Sequence, residues 1–293
     1  MQDYWLGRFH AMAGPCEILL DVDEEAEARR LLEIAQGEAL RIERKFSRYR
    51  PDSIIQRINT AAGHPVEVDD ETAALLDYAA QCHRLSAGRF DITSGVLRQV
   101  WRFDGGDQVP APEAVAAMLP RIGWERVSWE RPLICLPPGM EIDFGGIGKE
   151  YAVDRSARLI AEHSDASVLV NYGGDLYVNT ARRNGRGWFV GVEDPTSGMP
   201  TADSRSSIHR FELQHGGIGT SGDARRYLLK DGIRYSHILD PLTGWPARDA
   251  PRSVTVAAGT CTEAGLLATF AMLRGASAES FLRSERVRYW CVR

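Results

Sequence analysis

The sequence predicts an α+β fold: antiparallel or mixed sheets with packed helices, rather than a doubly wound parallel sheet. Two observations carry this. Short apolar stretches are joined mostly by hairpin-like turns, of which Asp231-Gly232 is the clearest. Long amphipathic stretches lie between groups of strands instead of after each strand. Residues 23–46, for example, keep a 3.6-residue period through Ala26, Leu31, Leu32, Ile34, Ala35, Leu40 and Ile42. A chain of 293 residues can bury a large core, and we read one domain over 1–293, with two interleaved subdomains as the alternative.

In chain order, residues 4–22 alternate around Phe9, Met12, Ile18 and Leu20 and predict one or two strands, with an irregular point at 11–15. The 23–46 helix follows, then a short one capped by Ser53 and ending near Asn59. A second long helix spans 70–87, and a Gly-flanked loop covers 88–95. A turn-rich link over 105–112 leads to a short helix at 112–120. Strands are expected at 126–129, 133–136 and 140–144, then a helix over 150–163 and a buried strand at 168–171. Further strands are expected at 176–179, 187–193, 208–214, 226–229, 234–239, 253–257 and 287–292, with helices at 262–273 and 278–284. Residues 195–206 are polar and predict an exposed loop.

The formal charge of -5 argues against a nucleic-acid partner, which needs a basic face. No apolar run reaches the roughly 18 residues of a membrane helix. No basic-then-apolar leader and no lipobox stand at the N-terminus, so the expected location is the cytoplasm, or the periplasm if a leader has been removed. The five cysteines form no CxxC pair and the seven histidines show no ligand spacing, so a zinc site is not expected.

Four stretches carry candidate chemistry. Residues 237–244 place His237, Asp240 and Thr243 among turn residues, and read either as a hairpin corner or as a strand end aiming His237 and Asp240 at one space. Asp143-Phe-Gly-Gly-Ile-Gly-Lys149 joins a strand to a helix N-terminus. It reads as an anion site with Lys149 as a point charge, or as a close crossing that only glycine allows. Asp91 and Thr93 follow Gly88-Arg89-Phe90, a grip for a ring system or an Asx turn. Gly217-Ile-Gly219-Thr-Ser-Gly222 matches a dinucleotide fingerprint by letter, but a strand follows where the fingerprint needs a helix. Such a loop can still offer backbone N–H groups to an anion.

Together these stretches resemble the ApbE family of flavin transferases. The resemblance is collinear over nearly the whole chain: residues 11–14, 46–49 with Ser53 and Asn59, 88–93, 143–149 with Tyr151 and Asp154, 171–175, 220–222, 237–244 and 262–269. It implies a T-fold-like α+β architecture and transfer of FMN from FAD to a threonine hydroxyl of a target protein, with a redox-complex subunit as the flavin acceptor. It implies a FAD site lined by Met12, Tyr49, Arg89, Phe90, Asp91, Asp143, Lys149, His237, Ile238 and Asp240. His237 is the candidate catalytic group, assisting the incoming hydroxyl. A Mg²⁺ ion would be held by the Gly146 carbonyl and Thr269.

Three positions depart from the family pattern. The family's metal-binding Asp, four residues before the Thr, is Gly265 here, and Gly148 and Glu150 replace a common Ala and Gly. Positions i and i+4 share a helix face, so Gly265 leaves that face without a carboxylate. Two alternatives follow: a FAD-binding homologue without transferase activity, acting as flavin carrier or regulator, or a FAD pyrophosphatase. On this alignment, Gly265→Asp is expected to strengthen Mg²⁺ binding.

Overall fold

The computed structural model describes residues 3–193, 195, 207–224 and 226–293. The chain-spanning feature is a seven-stranded sheet: β1 (Trp5–Ala11), β2 (Gly14–Asp21), β3 (Ser167–Tyr172), β4 (Asp175–Val178), β5 (Gly216–Gly222), β6 (Ser253–Ala258) and β7 (Arg288–Val292). The strands lie side by side in chain order, and every neighbouring pair is antiparallel. All other elements are insertions between neighbours. The helices are α1 (Glu25–Phe46), α2 (Ile54–Asn59), α3 (Asp70–Leu85), α4 (Pro112–Ala116), α5 (Gly148–Ala161), α6 (Cys261–Leu273) and α7 (Ala278–Ser284).

Side-chain alternation assigns the two faces. Ile18, Leu20, Val168, Val170 and Tyr172 point into one core with Leu31, Ala35 and Ile42 of α1 and Val153, Ala157 and Ile160 of α5. Leu169, Leu176 and Ile218 point the other way, onto the hairpin of Trp188–Glu193 and Ser207–Leu213, where Trp188, Val190 and Phe211 cover them. A smaller cluster of Leu97, Trp101, Val115 and Leu228 ties residues 97–115 to the insertion between β5 and β6. The Trp101 indole N–H reinforces it by donating to the Gly244 carbonyl at 2.9 Å.

Several boundaries move from the sequence reading, for local reasons. Residues 140–144 form no strand. Asn59 holds that segment instead, its side chain accepting from Ile142 N at 2.7 Å and donating to Ile142 O at 3.0 Å. A small sheet pairs Leu133–Cys135 with Ser128–Glu130 and with Val66–Glu67, a strand too short to show a pattern. The 88–95 loop closes into a 3-10 helix over Ile92–Gln99, because Asp91 Oδ1 accepts from Thr93 N at 2.8 Å and caps it. The 234–239 strand divides into Ile233–Ser236 and Leu239–Asp240. The expected 195–206 loop lies, Pro195 apart, outside the described residues.

The largest difference is β5. The stretch holding Gly217, Gly219 and Gly222 is a central strand, not a loop. Its glycines are steric necessities. A Cβ on Gly217 would sit 2.1 Å from Cys261 N, and one on Gly219 would sit 2.2 Å from Gly265 N. Helix α6 therefore rests on bare strand backbone. At the other end of the sheet, Met12 and Ala13 form the two-residue β1–β2 turn with φ of 53° and 60°, the positive values that twist-matched hairpin turns need. The Met12 N–H donates to Glu43 Oε1 at 3.0 Å.

Two glycine substitutions separate packing from conformational freedom. Gly219→Ala meets backbone and is expected to destabilise by about 3 kcal/mol or more. Gly37→Ala, in mid-α1 with nothing within 4 Å of the new Cβ, is expected to stabilise by about 0.5–1 kcal/mol. Urea unfolding midpoints check both; a neutral Gly219→Ala would refute the α6–β5 contact.

Candidate functional site

Four segments converge on a cavity of about 130 Å³: Arg89, Phe90, Asp91, Ile92, Ser94 and Gly95; Asp143 and Gly146; Ile238, Leu239 and Pro241; Thr269 and Leu273. Seven residues expected from the sequence are in that lining: Arg89, Phe90, Asp91, Asp143, Gly146, Ile238 and Thr269. Met12, Tyr49, Lys149, His237 and Asp240 are not in the lining, though several are tied to it. Arg89 Nη1 lies 2.5 Å from Asp240 Oδ2. Arg48 Nη1 lies 2.7 Å from Asp143 Oδ2, and the same guanidinium donates to the Tyr49 hydroxyl. Tyr49 itself is 75% exposed, with the Arg48 guanidinium over its ring at 5.0 Å from the centroid.

The 143–149 turn is shaped by close approach. A Cβ on Gly146 would lie 3.0 Å from the Phe90 ring, and Phe90 is in turn held against Phe270. The Asp143 N–H donates to Ile92 O at 2.9 Å, which locks this turn to the 3-10 helix. The turn delivers Lys149 to the first turn of α5, where its Nζ lies 2.5 Å from Asp175 Oδ2. Burial works against the Lys149 charge, but the Asp175 and Glu150 carboxylates outweigh it and raise its pKa. Asp175 Oδ1 accepts from Thr220 N at 2.9 Å, extending the link into β5.

Asp154, four residues further along α5 than Glu150, caps α6. It accepts from Cys261 N, Thr262 N and Thr262 Oγ1 at 2.8, 2.9 and 2.6 Å. On α6, Thr269 shares a 2.7 Å hydrogen bond with Ser221 of β5.

His237 and Asp240 have separate partners. Asp240 is buried; besides Arg89 it accepts from Leu242 N at 3.0 Å, so the turn reading of that carboxylate holds along with its tie to the cavity. Asp91 likewise accepts from Thr93 N, Thr93 Oγ1 and Trp124 N. The His237 ring sits 3.0 Å by Nδ1 from the Arg226 carbonyl. A carbonyl only accepts, so Nδ1 carries the hydrogen and Nε2 keeps its lone pair. Burial, seconded by Arg226, pulls the His237 pKa down to about 4.

Sequence reasoning named Glu150 only as a departure from the family pattern and gave it no role in the site. It is 8% exposed, and its Oε2 has no hydrogen-bond partner among the described residues. Burial first, then the Asp175 charge, push its pKa up to about 7 against the opposing pull of Lys149. It fills the space beside Gly265: a Cβ there would lie 2.6 Å from Glu150 Cγ and 2.8 Å from Oε1. The expectation that Gly265→Asp alone strengthens Mg²⁺ binding is therefore corrected, because that side chain collides with Glu150. The available signal was that Gly265 and Glu150 depart together.

A wider open groove of about 910 Å³ lies away from this site, between α1 and α2. Its cations Arg41 and Lys45 are paired with Glu38, Asp69 and Glu71.

The ApbE family model matches residues 12–290. The chain belongs to the ApbE family. Among curated relatives, an FAD:protein FMN transferase of Vibrio cholerae is 32% identical over 236 residues, 79% of this chain and 69% of that protein. One of Treponema pallidum is 31% identical over 249 residues, 78% of this chain and 67% of that protein. Among solved structures, the ApbE protein of Thermotoga maritima superposes with a TM-score of 0.88 at 30% identity, covering 98% of this chain and 94% of that one. The flavin transferase ApbE of Vibrio cholerae gives 0.83 at 26% identity, covering 98% and 93%. The α+β architecture expected from the sequence is thus the ApbE architecture. Among the described residues, no helix is long and apolar enough to cross a membrane.

The His237 environment has a measurable signature. In the unfolded chain this ring has its ordinary pKa of 6.5, and folding depresses it. The associated stability is therefore present above pH 6.5 and is lost as pH falls toward about 4. An NMR titration of the ring is expected to give a midpoint near 4; a midpoint at 6.5 or above would contradict the half-buried, carbonyl-bonded ring.

Proposed function

We propose that this member of the ApbE family transfers FMN from FAD to a threonine hydroxyl of a target protein, with AMP as leaving group. The observation that carries the reading is the convergence of its four segments on one cavity in a chain that belongs to this family. The hydroxyl oxygen attacks the FMN phosphorus of FAD. The bond from that phosphorus to the bridging oxygen breaks, and AMP departs with the bridging oxygen. The hydroxyl proton goes to His237 Nε2, the ring nitrogen left free by the bond to Arg226 O.

The remaining residues bind and orient. A cavity of about 130 Å³ suits a phosphate-sized group, so the rest of FAD lies across the open cleft. Tyr49, Met12, Phe90 and Ile238 offer apolar and aromatic surface to its rings. Arg89, fixed by Asp240, and Lys149, fixed by Asp175, supply positive charge. Asp143, Asp91 and the 89–91 segment shape the wall. A Mg²⁺ ion at the Gly146 carbonyl and Thr269 would neutralise pyrophosphate charge. Glu150 lies against Gly265 through Cγ and Oε1, and its Oε2 has no hydrogen-bond partner among the described residues, which supports a cation near this corner. The acceptor is a protein with an exposed threonine, a redox-complex subunit by the family resemblance.

The test combines purified chain, FAD, Mg²⁺ and a threonine peptide from a redox-complex subunit. A mass gain of one FMN phosphoester on the threonine, with release of AMP, is expected. AMP and free FMN without peptide modification would instead establish a pyrophosphatase, and FAD binding with neither product would sink catalysis. His237→Ala is expected to slow transfer by roughly 10²–10⁴-fold while FAD binding holds. Equal losses in both would reassign His237 to binding.

A further inference from the structure

We propose that Glu150 supplies the carboxylate ligand of a divalent-cation site beside Thr269, entering from α5 where Gly265 leaves α6 without one. The neighbouring carboxylates have partners. Half-buried Asp154 accepts three hydrogen bonds from the start of α6. Buried Asp175 accepts from Thr220 N through Oδ1, and its Oδ2, without a hydrogen bond of its own, is ion-paired with Lys149 Nζ at 2.5 Å. Glu150 is buried too, and its Oε2 has no hydrogen-bond partner among the described residues. Proteins rarely bury a carboxylate oxygen without a donor or a cation.

The position of the group points to the cation. Glu150 Cγ and Oε1 lie against the α6 backbone at Gly265. Gly265 and Thr269 are i and i+4 on that helix and share a face. Thr269 lines the cavity together with Gly146, which precedes Glu150 by four residues in the turn entering α5. A hydroxyl and a backbone carbonyl thus line one cavity, and the Glu150 side chain meets α6 at Gly265, one helical turn before that hydroxyl. Oxygen-only donors suit Mg²⁺ or Mn²⁺, not a soft metal. A side chain at 265 would overlap the one at 150, so the two positions share one volume and only one of them can place a carboxylate there.

This inference rests on the transferase reading only for the choice of Mg²⁺, so binding is measured without turnover. Calorimetry of the full chain with Mg²⁺, and Mn²⁺ binding by electron paramagnetic resonance, are compared for native protein, Glu150→Gln and the exchange variant Glu150→Gly/Gly265→Asp. Glu150→Gln is expected to weaken both cations by roughly tenfold or more. The exchange variant is expected to bind within about threefold of native, since it restores one carboxylate at the same place. Native-like affinity in a folded Glu150→Gln would overturn the assignment. Should Glu150→Gln fail to fold, the exchange variant decides: retained binding supports the shared position, and loss of binding overturns it. Peptide flavinylation is followed in parallel. Cation binding that depends on Glu150 without transfer would remove the transferase reading and leave this ligand standing.

Discussion

The contact on which the site depends is helix α6 lying on the uncovered backbone of β5. Gly217 and Gly219 remove the side chains that would otherwise hold the helix off the sheet. Close packing of this kind leaves no room for sliding. It fixes the height of everything α6 carries: Thr269 against Ser221, the Asp154 cap at its start, and Gly265 against Glu150. Helix α5 is pinned to the same strand by another route, from Lys149 through Asp175 to Thr220. The cavity is thus lined by α6 and by the 143–146 turn that leads into α5, both referenced to one strand, with residues 89–95 and 238–241 completing the lining.

Much of this architecture was legible from periodicity and capping. Helix α1, the Ser53 cap of α2 and the alternating strands β1 and β2 all announce themselves, because their side-chain patterns face one core. Strand β5 did not, for a physical reason. Strand propensity reflects side chains packing on a pleated surface, and β5 is built from residues that lack them. Its glycines mimic a phosphate-binding fingerprint while serving helix packing. The 140–144 segment erred the other way: its apolar alternation is real, with Met140, Ile142 and Phe144 all buried, but its backbone is held by Asn59 and not by a ladder.

The candidate site divides similarly. Residues recognisable by local motif, such as Arg89, Asp143 and Gly146, do converge. Partnerships across long separations were not readable: Arg89 with Asp240, Arg48 with Asp143, Ser221 with Thr269. Glu150 is the clearest case. In sequence it is an acid beside a lysine at a helix start, an ordinary arrangement. Only packing against Gly265 shows that the two positions share one volume.

The β1–β2 turn carries a different implication. Two-residue turns with both φ values positive favour Asn-Gly, yet the chain holds Met12-Ala13 there, in a backbone region costing of order 1 kcal/mol per residue for side chains of this kind. Glu43 clamps the turn through the Met12 N–H, so the strained shape is actively maintained. The apolar thioether is thus held at a fixed point of the sheet edge by a carboxylate 31 residues away, and losing Glu43 would free the turn to relax.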